Sequence, residues 1–165
     1  MEPSVAVFEK LEELGIEFEV VEHEAVVTTE QADRVIEGMD GVRTKTMFLT
    51  DKKKKAWFLV IMDDDKRLDM KEFGEAVGAK GIKMTSEDSL MEKMMLKPGM
   101  VSPFGLLNNK DHDVQVYFDE EIMGEDRMTF HPNTNEKTVF IKTPDIIRFL
   151  DSIGYEPQSI KLGKQ

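Results

Sequence analysis

Two stretches of strand-forming residues, Val42 to Thr50 and Ala56 to Met62, are separated only by the charged segment Asp51 to Lys55. Strand formers on both sides of a short polar loop read as a hairpin, so any sheet in this chain contains an antiparallel pair and cannot be wholly parallel. The second run is nearly all apolar, which makes it a central strand.

The flanking sequence supplies further elements. Val5, Phe8, Leu11 and Leu14 recur every three residues, with Ser4 placed to cap and Gly15 placed to end an amphipathic helix. Ile16, Phe18 and Val20 alternate with polar neighbours and predict a short strand. Thr28 with Gln31 forms a capping box that opens a helix ending at Gly38. Asp69 with Glu72 forms another, and Phe73, Ala76 and Val77 give that helix an apolar face before Gly78. Ser86 caps a helix carrying Leu90, Met91, Met94 and Met95, which Lys97-Pro98-Gly99 stops.

Strands are expected at Asp113 to Phe118, Met128 to His131 and Thr138 to Lys142. Thr143 then caps a last helix with Pro144 at its first position and Gly154 at its end. There is no internal repeat, linker or composition break. The expectation is a mixed α/β fold, one domain over residues 1–165, with a partly antiparallel sheet flanked by helices.

Composition narrows the chemistry. With 40% apolar residues among 165, the chain can bury one sizeable core. No run approaches the roughly 18 apolar residues of a membrane helix, and Met1-Glu2-Pro3-Ser4 lacks signal-peptide character, so a cytoplasmic protein with no membrane partner is expected. The absence of cysteine excludes disulfides, thiolate zinc sites and cysteine nucleophiles.

A formal charge of −11 would repel nucleic acid if evenly spread. The exception is Arg43, Lys45 and Lys52 to Lys55, against an acidic start from Glu9 to Glu24. The four-lysine run reads either as a phosphate-attracting surface or as a solvated hairpin tip. Phosphate-loop, Gly-x-Ser-x-Gly and His-Glu-x-x-His motifs are all absent. His23, His112 and His131 lack metal-ligand spacing, and Asp63-Asp64-Asp65 reads as a solvated turn, so neither metal nor cofactor is expected.

Three local features can carry chemistry. Lys45 is a lone lysine inside a strand, which either faces solvent or supplies a fixed cation at a cleft. Lys97 to Leu106 is stiffened by two prolines and two glycines, and such a loop either connects two elements or presents backbone groups to a ligand. His131 ends a strand before Pro132-Asn133-Thr134-Asn135, where it either satisfies loop carbonyls or takes part in catalysis.

Taken in order, these segments resemble one family. Lys45 before Phe48-Leu49, the Gly99-Met100-Val101-Ser102-Pro103 loop, Phe130-His131-Pro132 with Asn133-Thr134-Asn135, and the closing Thr143 to Leu150 helix are similar to the prolyl-tRNA editing (YbaK/ProX-like) family. The resemblance runs from the first helix to about Pro157. It implies a compact mixed α/β fold, no metal, and an aminoacyl-tRNA deacylase acting on tRNA(Pro), with prolyl-tRNA synthetase a potential partner and DNA not one.

The Phe-His-Pro segment is similar to alanine-specific members, so alanine on tRNA(Pro) is the implied substrate. Cysteine on the same tRNA is the alternative, and a non-catalytic module sensing aminoacyl-tRNA or proline is the rival of another class. The resemblance implies catalytic roles for Lys45 (the terminal adenosine's phosphate), Gly99 (backbone contact at the ester) and His131 (pocket shape). It implies substrate contacts from Thr46, Ser102, Pro103, Phe130 and Asn133. Thr46 stands where many alanine editors have asparagine, which leaves open the polar contact that asparagine would make. No Ser–His–Asp or Cys–His set is evident, so direct attack by water is expected, helped by the ribose hydroxyl and by backbone donors at the oxyanion.

Overall fold

The hairpin forms as its pattern requires. In the computed structural model, which describes residues 3–26 and 28–163, β2 (Val42–Thr50) and β3 (Trp57–Asp63) pair antiparallel from Thr44 opposite Asp63 to Thr50 opposite Trp57. Phe58 to Met62 are all buried, so β3 is the central strand. Alternation sends Leu59 and Ile61 to one face and Phe58, Val60 and Met62 to the other, where two separate cores form.

The larger core joins β3 to α1 (Pro3–Glu13), α4 (Glu87–Met94) and α5 (Thr143–Ser152) through Val7, Leu11, Leu90, Met94, Phe149 and Leu150. The smaller core packs Phe73 of α3 (Met70–Val77) against Phe58 and Tyr117. Capping follows the expected signals in three helices. Thr28 accepts from the Gln31 N–H at the start of α2 (Thr29–Val35), Asp69 from Glu72 N–H, and Ser86 from Ser89 N–H.

The strand order is β1-β7-β6-β2-β3-β5-β8, using β1 (Phe18–Glu22), β5 (Val114–Asp119), β6 (Arg127–Phe130), β7 (Lys137–Lys142) and β8 (Gln158–Ile160). β2 pairs parallel with β6, and β3 with β5, while β1, β7 and β6 pair antiparallel. The sheet is mixed, as expected.

Some local expectations fail. Ser4 lies buried inside α1 rather than capping it, and Thr143 is the first residue of α5, its hydroxyl donating to Glu125 O. Met95, in the left-handed conformation, ends α4 ahead of the Pro98-Gly99 stop. β4 (Lys83–Met84) and β8 carry no strand signal of their own, because short edge segments lack a buried face.

One irregularity positions the site. On the edge away from β3, β2 pairs with β6 only at Val42 and Arg43, and with β4 only at Leu49 and Thr50. Between them the ladder is open from Thr44 to Met47. A sheet that splays in this way leaves a cleft at its own strand edge.

Candidate active site

A cavity of about 280 Å³ occupies that opening. Thr44, Lys45, Thr46 and Phe48 form its floor, and Thr129, Phe130 and His131 continue it from the end of β6. Pro98, Gly99 and Val101 close it from the loop after α4, and Ala32, Asp33 and Ile36 close it from α2. The three segments singled out in the sequence therefore meet at one place.

Lys45 is half-buried and makes no hydrogen bond or ion pair among the described residues. Burial is the largest influence on it and lowers its pKa. A desolvated ammonium without a partner is a place for an anion.

His131 is fixed differently. Its Nδ1 donates to Lys137 O at 3.1 Å, which leaves Nε2 as the acceptor. Burial pushes its pKa below the ordinary histidine value, with the neighbouring His23 acting in the same direction, so the ring is neutral at pH 7. His23 packs edge-on with ring centroids 6.4 Å apart, and it is itself held by Glu24 O and the Thr138 hydroxyl.

Gly99 has φ +90° and follows Pro98 in a turn closed by Met100 N–H donating to Lys97 O at 3.1 Å. Only glycine takes that position readily. The N–H groups of Gly99 and Val101 meet no acceptor among the described residues, although both residues line the cavity. Thr46 and Phe130 also line it.

Ser102, Pro103 and Asn133 do not. Ser102 is buried and accepts from the Phe104 N–H, and Pro103 starts the 3-10 turn that follows. Asn133, at φ +60°, donates to Phe104 O at 3.4 Å. All three are buried, and Ser102 and Asn133 both bond to the backbone of Phe104, which ties the loop after Gly99 to the loop after His131.

Sequence reasoning missed a half-buried carboxyl near Lys45. Asp64 lies two residues beyond Met62, which stands opposite Lys45, so alternation puts Asp64 and Lys45 on one face. The expected turn forms, with Lys66 N–H donating to Asp63 O, but Asp64 is half-buried in it and its Oδ2 is buried with no donor facing it. Burial, followed by a hydrogen bond with Asp33, raises its pKa to about 8. The carboxyls of Asp64, Asp63 and Asp65 in turn work against the burial that lowers the pKa of Lys45. The signal was hidden because Asp33 and Asp64 are 31 residues apart in sequence. Among the described residues, Asp63, Asp64 and Asp65 are the group whose carboxylate oxygens come close enough to hold a cation, within 4.8 Å of one another.

Arg43, counted in the sequence as part of the basic patch, is spent on the fold. Its guanidinium donates to Gly41 O, Ile36 O and Met39 O and ties the end of α2 to β2.

The sequence profile of the aminoacyl-tRNA editing domain matches residues 23–149. The chain belongs to the aminoacyl-tRNA editing domain family. It is 34% identical to the prolyl-tRNA editing protein ProX of Acetoanaerobium sticklandii, across 98% of this chain and 99% of that protein. It is 30% identical to the prolyl-tRNA synthetase associated domain-containing protein 1 of Bos taurus, across 96% and 95%.

A solved structure described as a candidate trans-editing enzyme for prolyl-tRNA synthetase superposes with a TM-score of 0.78. The match has 18% identity and covers 100% of this chain and 99% of that one, a likeness of fold. Editing by this family removes an amino acid from its tRNA, and the chain is an aminoacyl-tRNA deacylase. Among the described residues no helix is long and apolar enough to cross a membrane.

Proposed function

We propose that the cavity at the open edge of β2 hydrolyses the ester of misacylated tRNA(Pro), with alanine as the amino acid removed. The observation that carries this reading is the convergence of an unpartnered Lys45, the unpaired N–H groups of Gly99 and Val101, and a neutral His131 on one small cavity. The relatives named for prolyl-tRNA editing support the choice of tRNA.

Each group has a task that its chemistry suits. Lys45 holds the phosphate of the terminal nucleotide as a point charge and so fixes where the ester lies. The Gly99 and Val101 N–H groups donate to the oxyanion that forms when water attacks the carbonyl, and they need not reorganise to do so. His131, with Nε2 free to accept, bounds the amino-acid end together with Phe130 and Thr46.

A second sieve of this kind answers a real limit. A synthetase pocket shaped for proline loses only about 1–3 kcal/mol per missing methylene, so it cannot exclude alanine by fit alone. A smaller pocket reverses the order by rejecting the larger side chain.

Lys45→Ala tests the reading. Its single-turnover hydrolysis of alanyl-tRNA(Pro) is expected to fall at least about tenfold, or roughly 1.4 kcal/mol in the barrier, with selectivity among amino acids unchanged. Full activity in this variant moves the site elsewhere.

A further inference from the structure

The hairpin tip between β2 and β3 is not an isolated cluster of charge. Lys52 N–H donates to Lys80 O at 3.0 Å, which binds the tip to the loop between α3 and β4. Gly81 makes that approach possible. At φ +66° it sits so close that a Cβ there would come within 2.6 Å of the Lys52 Cβ. The chain then enters β4, with Lys83 opposite Thr50 and Met84 opposite Leu49.

Lys52, Lys53, Lys54, Lys55, Lys80 and Lys83 are all exposed, and none makes an ion pair among the described residues. Elsewhere Lys66 is neutralised by Asp119 and Glu121, Lys93 by Asp111 and Asp113, and Lys10 pairs with Glu13. In a protein of net charge −11, six uncompensated cations on adjoining loops form a local exception.

This surface is continuous with the cavity. Met84, 54% exposed, lines the cavity rim, and Thr85 N–H donates to Phe48 O as the chain passes inside. An apolar thioether at the mouth offers a flat, polarizable contact for a base, while the lysines behind it face outward.

We infer that Lys52 to Lys55, Lys80 and Lys83 form a single track for the phosphodiester backbone of the RNA strand whose 3′ end enters the cavity. The inference rests on the reading of the cavity as a tRNA 3′-end site, and it adds the route by which the rest of the molecule is held. The charge complementarity is to phosphate, so the track binds without reading sequence.

The test compares Lys80→Gln/Lys83→Gln with Lys10→Gln/Lys142→Gln, which removes the same charge from α1 and from the far end of β7. Binding of uncharged tRNA(Pro) is measured across a range of salt concentrations. Hydrolysis is measured on a short single-stranded oligonucleotide ending in CCA-alanine, which reaches the cavity but not the track.

Each phosphate contact contributes about 0.7–0.9 to the slope of log K against log salt. The Lys80/Lys83 variant is therefore expected to flatten the slope by about 1–2 and to weaken low-salt binding several-fold, with short-substrate hydrolysis unchanged. The Lys10/Lys142 variant is expected to keep the wild-type slope. An unchanged slope in the first variant, or equal flattening in both, overturns the track. Loss of binding to anionic phospholipid vesicles with tRNA binding intact also overturns it, in favour of a membrane surface. Wild-type protein that binds tRNA with the expected slope but does not hydrolyse the short substrate leaves the track standing and removes the deacylase reading of the cavity.

Discussion

His131 carries its proton on Nδ1, where Lys137 O receives it, and presents an unprotonated Nε2. A neutral ring that bounds a small cavity measures size more than it moves charge. His131→Ala is expected to lower alanyl-tRNA turnover and to let larger residues, proline among them, be hydrolysed faster than by the wild type. Single-turnover rates on alanyl- and prolyl-tRNA(Pro) check this, and an unaltered ratio of the two returns His131 to a purely structural role.

Asp64 gives a prediction at the same scale that needs no substrate. Its folded pKa of about 8 lies above the ordinary 3.8, so the folded state binds more protons than the unfolded chain between those values. The stability this contributes is complete below about pH 4 and is lost as pH rises through about 8. Asp64→Asn cannot lose that proton. It should match the wild type at pH 4 and exceed it at pH 8 by on the order of 1 kcal/mol, since solvent screens much of the effect at a partly exposed group. Urea denaturation at the two pH values measures it, and equal stabilities at pH 8 would contradict the raised pKa of Asp64. Lys45, Gly99 and His131 were legible in the sequence because each breaks its local pattern, as a lysine within a strand, a glycine after proline, or a histidine at a strand end. Asp64 was not, because a run of three aspartates looks like a solvated turn until the sheet places the middle one beside Asp33.

Among the elements, long periodic segments were legible and short ones were not. β2 and β3 announce themselves through uninterrupted strand formers, and α2, α3 and α4 through their capping side chains. β4 has two exposed residues and no alternation to read, yet it closes one end of the gap that makes the cavity. Arg43 looked like a free cation because its three carbonyl partners belong to a loop whose path composition does not fix. The turn at Pro98-Gly99 is the element most open to test. Nothing lies within 4 Å of a Cβ built at Gly99, so Gly99→Ala costs backbone strain alone, about 1 kcal/mol at φ +90°. Urea unfolding should show that modest loss, while relaxation of the turn should reduce deacylation far more than stability. Wild-type activity in a folded Gly99→Ala protein would remove the Gly99 N–H from the oxyanion.

For the whole molecule, fold and chemistry meet in the choice to leave one strand edge incompletely paired. Unpaired backbone groups between β6 and β4 would cost stability if buried without partners, and here they border a cavity that a polar substrate can enter. The reaction proposed there draws on water and protein donors alone, and the chain has no cysteine to hold zinc as a thiolate. Activity is expected to survive EDTA, and loss restored by zinc or magnesium would replace this mechanism with a Lewis-acid one. The proposed selective removal of alanine from tRNA(Pro) is measured directly by single-turnover deacylation of alanyl-, cysteinyl- and prolyl-tRNA(Pro) by the wild-type protein. Alanyl-tRNA is expected to be hydrolysed fastest and prolyl-tRNA to be spared by at least about tenfold. Faster removal of cysteine would reassign the substrate, and hydrolysis of prolyl-tRNA as fast as alanyl-tRNA would contradict the size-selective cavity itself.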